Sequence, residues 1–308
     1  MTALSFRHLF DVDQVTDDDL QEILALAERY RHAFEDGARP IYADMQGRIL
    51  ANIFCEPSTR TRFSFAAAMF RLGGDVLNLE QSGGASFVKG ESLEDAGRIM
   101  SGYADAIVFR HEEAGSVERF AAFADVPVIN GGDGPARHPT QSLTDLFHIK
   151  RRKGKFDGLT IAFYGDLRYS RTAFPLANAL SRHDCRLVAV APPGLELPRD
   201  KAQALRDKKA EFVETDSLNA VLPELDVLYM TRIQWERIAQ EVRKDWREYR
   251  LSADALSRAK PDLALMHPLP RIDEIATEID ALPQAGYFEQ ARGGLYVRMA
   301  LLALMLGR

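Results

Sequence analysis

Short apolar runs alternate with longer amphipathic or alanine-rich stretches along this chain, and polar segments bearing glycine and proline separate them. Ile49-Leu50-Ala51-Asn52-Ile53-Phe54 reads as a short buried strand. Phe63 through Leu72 is alanine-rich and helix-prone, and Gly73-Gly74 closes it. The strand pattern returns at Val76–Leu79, at Ala104–His111 and from Val126 to Asn130, where it enters the glycine-rich loop Gly131–Gly134. Ahead of these, residues 15–36 set apolar positions at helical spacing behind an acidic opening, Asp17-Asp18-Asp19, which suits a helix N-terminus. Ser92-Leu93-Glu94-Asp95 starts a further helix through Met100, and Ser142–Ile149 another. The polar segment Gln81–Ser92 has little to bury and is expected to be a mobile loop.

The alternation begins again after Lys150–Lys155, whose cations suit a helix C-terminus entering a turn. Leu159–Tyr164 is a strand, Gly165–Arg171 a loop and Thr172–Leu180 a helix. Strands follow at Arg186–Val190, Glu211–Val213, Asp226–Met230 and Ala264–Met266. The charged segment Trp235–Arg250 is expected to be a solvated, movable excursion, and a last helix from Ala291 to pack back on the first unit. Strands alternating with helices predict an α/β fold of two domains, each a mainly parallel sheet flanked by helices. Ligands of such sheets sit beyond the carboxyl ends of the strands.

The length of 308 residues accommodates two domains at roughly 100–200 residues each. A formal charge of −6 argues against a nucleic-acid partner, since phosphate backbones are met with basic surfaces. No apolar run reaches the ~20 residues a membrane span needs. Met1–His8 lacks a charged region followed by an apolar core, so no signal peptide is expected. Cys55 and Cys185 make neither a disulfide framework nor a CxxC pair, which fits the cytosol. Nothing in the spacing of histidines and cysteines calls for a metal, and no phosphate loop or dinucleotide fingerprint calls for a cofactor.

The chemistry gathers first at Glu56-Pro57-Ser58-Thr59-Arg60-Thr61-Arg62, between the first strand and its helix. Pro57 breaks the strand, and Ser58 or Thr59 can cap the helix. Hydroxyls and guanidinium groups thus lie where helix N–H groups and the positive dipole end point, a site for a dianion such as phosphate. The same residues also suit a plain helix cap with two solvated arginines. Further strand ends carry Lys89, Arg110, His138, Arg171, Arg232, His267 and Arg271. Singly, each arginine suits a solvated surface; together, in an acidic chain, they imply polyanionic substrates. Arg232 and Gln234 can fork around a carboxylate. No nucleophile elbow is present, so the pattern suggests direct transfer between two bound substrates by positioning and charge stabilisation.

Four motifs carry a resemblance. Ser58-Thr59-Arg60-Thr61-Arg62, His138-Pro139-Thr140-Gln141, Met230-Thr231-Arg232-Ile233-Gln234 with Glu236-Arg237, and His267-Pro268-Leu269-Pro270-Arg271 with Asp273-Glu274 resemble, in order and spacing, the aspartate carbamoyltransferases of the aspartate/ornithine carbamoyltransferase family. Ornithine-type members carry a cysteine where this chain has Pro268 and lack the Arg-x-Gln pair. The resemblance implies transfer of the carbamoyl group of carbamoyl phosphate to L-aspartate, an early step of pyrimidine biosynthesis, without a cofactor. It implies a carbamoyl phosphate-binding domain at 1–145 plus 286–308 and an aspartate-binding domain at 146–285. Ser58, Thr59, Arg60 and Thr61 would hold the phosphate. Arg60, Thr61, Arg110 and His138 would polarise the carbonyl, and Gln141, Leu269 and Pro270 would contact the carbamoyl end. Arg171, Arg232 and Gln234 would hold the aspartate carboxylates. Ser86 and Lys89 would reach into a neighbouring subunit's site, which implies a homotrimer; Val88 stands where some relatives have a second lysine. Regulatory chains or a dihydroorotase are possible partners. Two other readings stay open: a different amino-acid acceptor, and a non-catalytic anion-binding scaffold.

Overall fold

Nine strands, β1–β9, form among the described residues, and all of them pair in parallel. The computed structural model describes residues 4–37, 42–80, 90–135, 137–238 and 249–307. The chain divides into two units, Met1–Thr144 with Arg292–Arg308, and Asp145–Ala291.

In the first unit β1 (Ile49–Phe54), β2 (Asp75–Glu80), β3 (Ala106–His111) and β4 (Val128–Asp133) stand in the order β2-β1-β3-β4. The strands β1, β3 and β4 are buried almost throughout, whereas Leu77 of the edge strand β2 is half exposed. The inner strands β1 and β3 carry continuous apolar runs, as strands buried on both faces do. Five helices belong to this part of the chain: α1 (Asp17–Glu35), α2 (Thr59–Arg71), α3 (Leu93–Ser101), α4 (Ser116–Ala121) and the start of α5 (Pro139–Lys153). The acidic opening of α1 works as a reciprocal cap: Asp19 N donates to Thr16 Oγ1 and Thr16 N donates to the Asp19 carboxylate, both at 3.1 Å. One core layer joins Ile53, Ile107 and Phe109 to Val117 and Phe120, with the Phe109 and Phe120 rings stacked at 4.2 Å. The helix α4 escapes the sequence pattern because its six residues are too few to show a period.

The second unit holds β5 (Thr160–Gly165), β6 (Arg186–Val190), β7 (Glu211–Thr215), β8 (Val227–Thr231) and β9 (Ala264–Met266), ordered β7-β6-β5-β8-β9. Its helices are α6 (Ala173–Leu180), α7 (Arg199–Arg206), α8 (Leu218–Val221) and α9 (Ala253–Leu256). Val188, Leu228, Met230, Leu256, Leu265, Ile279 and Tyr287 share its main core. The last helix, α10 (Tyr287–Leu306), is apolar around most of its circumference, and Val297, Met299, Ala300, Leu301 and Leu302 are fully buried. It starts four residues earlier than the sequence suggests, and its residues from Arg292 belong to the first unit.

Candidate active site

Both sheets are doubly wound, and each has one point where the strand order reverses. In the first unit that point lies between β1 and β3, and in the second between β5 and β8. At such points in open α/β sheets the two crossovers leave in opposite directions, and ligands bind in the gap between them. Arg60 follows β1 and Arg110 lies at the end of β3 at the first point, and Arg171, Arg232 and Gln234 follow the strands at the second, whereas His138 comes after β4 and His267 and Arg271 after β9.

In the first unit, Ser58 is the N-cap of α2, though its hydroxyl makes no capping bond. The N–H groups of a helix's first turn have no acceptor within the helix, and the dipole adds positive potential. Thr59 and Arg60 face outward on that turn, while Thr61 is buried. Thr61 Oγ1 lies 3.4 Å from His138 Nε2, which brings the first and second motifs together. His138 precedes Pro139 at the start of α5, and its carbonyl accepts Gln141 N at 2.9 Å. Partial desolvation lowers the pKa of Arg60, which as an arginine keeps its charge at neutral pH.

Arg110 is placed by an irregularity in pairing. Phe109 pairs with Asn130 but Arg110 with Gly132, so Gly131 is the extra residue of β4. The Arg110 guanidinium donates to Gly131 O at 3.1 Å and pairs with Glu56 at 2.8 Å. Gly132 has φ 134°, and a Cβ there would lie 2.3 Å from Arg110 Nη1. Only glycine leaves the guanidinium this room. Glu56 is the neighbour of Arg110 that counting cations overlooks, although it opens the same motif as Ser58-Thr59-Arg60.

In the second unit, Asp166 follows β5 and is fully buried. Its carboxylate accepts Tyr169 N at 2.9 Å and Gln234 N at 3.1 Å. Thr231 Oγ1 donates to Asp166 O at 3.1 Å. These bonds tie the loop carrying Arg171 to the loop carrying Arg232 and Gln234, all three half-buried. Burial raises the Asp166 pKa, and the N–H groups of Tyr169 and Gln234 oppose the rise. Ser86 and Lys89, and the excursion's residues 239–248, lie outside the described residues.

The profile described as "Aspartate/ornithine carbamoyltransferase, carbamoyl-P binding domain" matches residues 7–151, and that described as "Aspartate/ornithine carbamoyltransferase, Asp/Orn binding domain" matches residues 157–305. The chain belongs to the aspartate/ornithine carbamoyltransferase family. The aspartate carbamoyltransferase catalytic subunit of Chromobacterium violaceum is 45% identical over 97% of this chain and 98% of that relative. The catalytic subunit of M. jannaschii aspartate transcarbamoylase superposes with TM-score 0.91 at 40% identity, covering 98% of each chain. Aspartate transcarbamoylase from Trypanosoma cruzi, in complex with N-(phosphonacetyl)-L-aspartic acid, superposes with TM-score 0.88 at 36% identity, covering 97% of this chain and 95% of that one.

Two strand-end residues of this carbamoyltransferase have structural partners. Arg271 is paired with Asp280 through both guanidinium nitrogens and donates to Tyr287 Oη at 2.9 Å. His267 is fully buried and stands 2.8 Å from the equally enclosed Glu274. Burial raises the Glu274 pKa, but the close approach of His267 and the N–H groups of the loop draw it below the ordinary carboxylate value.

Proposed function

We infer that this carbamoyltransferase moves the carbamoyl group of carbamoyl phosphate to the amino group of L-aspartate, giving N-carbamoyl-L-aspartate and phosphate. The reaction is an early step of pyrimidine biosynthesis. One observation carries the choice of aspartate over ornithine: Arg232 and Gln234 leave β8 at the switch point, in a loop anchored by Asp166. A second carboxylate on the acceptor needs such a fork, and an aminoalkyl side chain does not.

The amino nitrogen attacks the carbonyl carbon, the carbonyl oxygen becomes an oxyanion, and the bond to the phosphate oxygen then breaks. Ser58, Thr59, Arg60 and Thr61 hold the phosphate at the start of α2. Arg60, Thr61, Arg110 and His138 stabilise the oxyanion, as donors arranged in advance of the charge do. Gln141 and the carbonyls of Leu269 and Pro270 orient the carbamoyl amide. Arg171, Arg232 and Gln234 bind the aspartate carboxylates. The leaving phosphate takes the amine proton, so the scheme requires no separate general base. In this reading the first unit is the carbamoyl phosphate-binding domain and the second the aspartate-binding domain.

We place the enzyme in the cytosol as a homotrimer, with Ser86 and Lys89 serving a neighbouring subunit's site. The two cysteines, both buried and free, suit a reducing compartment. Among the described residues no helix is long and apolar enough to cross a membrane. Regulatory chains or a dihydroorotase are candidate partners of the trimer. Assay with carbamoyl phosphate and either aspartate or ornithine tests the substrate. Turnover with ornithine but not aspartate discards the reading. Mass in solution, with and without a bisubstrate phosphonate, tests the trimer.

A further inference from the structure

The loop after β9 is wrapped around two buried side chains. His267 Nδ1 accepts Leu269 N at 2.9 Å, and Glu274 Oε2 accepts both Ile272 N and Asp273 N at 3.1 Å. His267 Nε2 and Glu274 Oε1 stand 2.8 Å apart, closing the ring of contacts. Because Nδ1 is an acceptor, the neutral ring carries its proton on Nε2, facing the carboxylate. The backbone behind the ring is fixed too: His267 N donates to Gln290 Oε1 at 2.9 Å, and Gln290 Nε2 donates to Asp145 Oδ1 at 2.6 Å. Leu269 itself sits at φ 51°, a left-handed conformation that a leucine keeps only where its surroundings impose it.

We infer that His267 and Glu274 act as a positioning pair, holding the Leu269–Pro270 backbone in the one conformation that offers its carbonyls to the carbamoyl group. The imidazole takes the N–H of the strained residue, a bond that sets its tautomer, and the carboxylate backs the ring at 2.8 Å while taking the N–H groups on the far side of the loop. Neither side chain touches substrate. With the tautomer reversed, two N–H groups would face each other across the Leu269 contact, and the loop would lose its left-handed turn. This pairing rests on the reading of Leu269 and Pro270 as carbamoyl contacts.

The test uses the parent enzyme labelled with 15N-histidine, together with His267→Asn and His267→Gln. An Asn amide oxygen can replace Nδ1 as the acceptor, whereas a Gln amide reaches the Nε2 position. The parent spectrum should contain a buried histidine with unprotonated Nδ1 and protonated Nε2, a signal absent from both variants. His267→Asn should keep kcat within a few-fold of the parent, while His267→Gln should lose about 10–100-fold in kcat/KM for carbamoyl phosphate. Its KM for aspartate should change little, a split that general loosening of the fold would not produce. A protonated Nδ1 overturns the pair and leaves the substrate reading standing. The stated tautomer with parental activity in both variants overturns the use of this loop by substrate.

Discussion

Arg110 Nη2 lies 2.8 Å from Glu56 Oε2, so the buried cation beside the proposed phosphate site already has an anionic partner in the protein. Its guanidinium is almost wholly enclosed, while Glu56 keeps about a third of its side-chain exposure at 31%. At that proposed site an arriving phosphate dianion would meet the carboxylate as a competitor and as a like charge. Glu56→Gln removes the charge and keeps the shape. Inorganic phosphate should therefore inhibit the variant at several-fold lower concentration than the parent, since one charge at close range is worth on the order of 1 kcal/mol or more in partly solvated surroundings. Equal or weaker inhibition would show that Glu56 does not compete for Arg110.

Gly132→Ala tests the placement of the same guanidinium from the opposite side. The new methyl would meet Arg110 Nη1 at 2.3 Å, and the backbone at φ 134° is one that an alanine rarely adopts. The guanidinium must shift, and a displaced oxyanion donor typically costs about 2.7–4 kcal/mol of transition-state stabilisation. Steady-state kinetics should show kcat lowered by about 10²–10³. Near-parental kcat in a folded variant would remove Arg110 from the chemistry.

Much of this architecture is legible in the residues, and the gaps have physical causes. The runs Ile49–Phe54 and Arg186–Val190 coincide with strands because an inner parallel strand needs apolar side chains on both faces. The helix α7 has only Ala202 and Leu205 buried among its eight residues, which leaves its period hidden among charges. Positive charge at a strand end separates function from structure less well. Arg60 and Arg271 look alike in sequence, but Asp280 holds Arg271, and that aspartate lies nine positions away in a short 3₁₀ helix. Asp166 was hidden for a related reason: its partners are backbone N–H groups, which no residue pattern displays.

At the second switch point, glycine and carboxylate make a separable prediction for aspartate. A Cβ on Gly165, at φ 117°, would lie 2.3 Å from Thr231 O and force β5 away from β8. Asp166→Asn is milder, replacing one acceptor of the Tyr169 and Gln234 N–H groups by a donor. Each N–H left without its partner costs about 1–3 kcal/mol. The KM for aspartate should rise about 5–100-fold in Asp166→Asn, with the KM for carbamoyl phosphate held within two- or threefold. Gly165→Ala should add a fall in thermal midpoint, because its clash is with backbone. Parallel increases in both KM values would indicate that Asp166 does not serve the aspartate loop in particular.

Acid sensitivity should trace to a histidine outside the proposed chemistry. His148 on α5 is buried, and that burial, followed by the charges of Arg151 and Arg152, lowers its pKa from 6.5 to about 3. In the unfolded chain the ring takes up a proton near its ordinary value, while in the folded chain it stays neutral to much lower pH. The unfolded state thus binds more protons between the two values, and stability rises with pH across that window. His148 gives no pH dependence above 6.5; below it, each unit of pH costs about 1.4 kcal/mol until the folded ring itself protonates near 3. A variant with no titrating group, His148→Gln, should be less stable than the parent at pH 7.5, because packing around the ring is lost. The difference between parent and variant should shrink as pH falls from 6.5 to 5. Denaturant midpoints across that range read the difference directly, and carboxylates common to both proteins cancel from it. A gap that stays constant with pH would mean that the folded ring protonates as readily as the unfolded one.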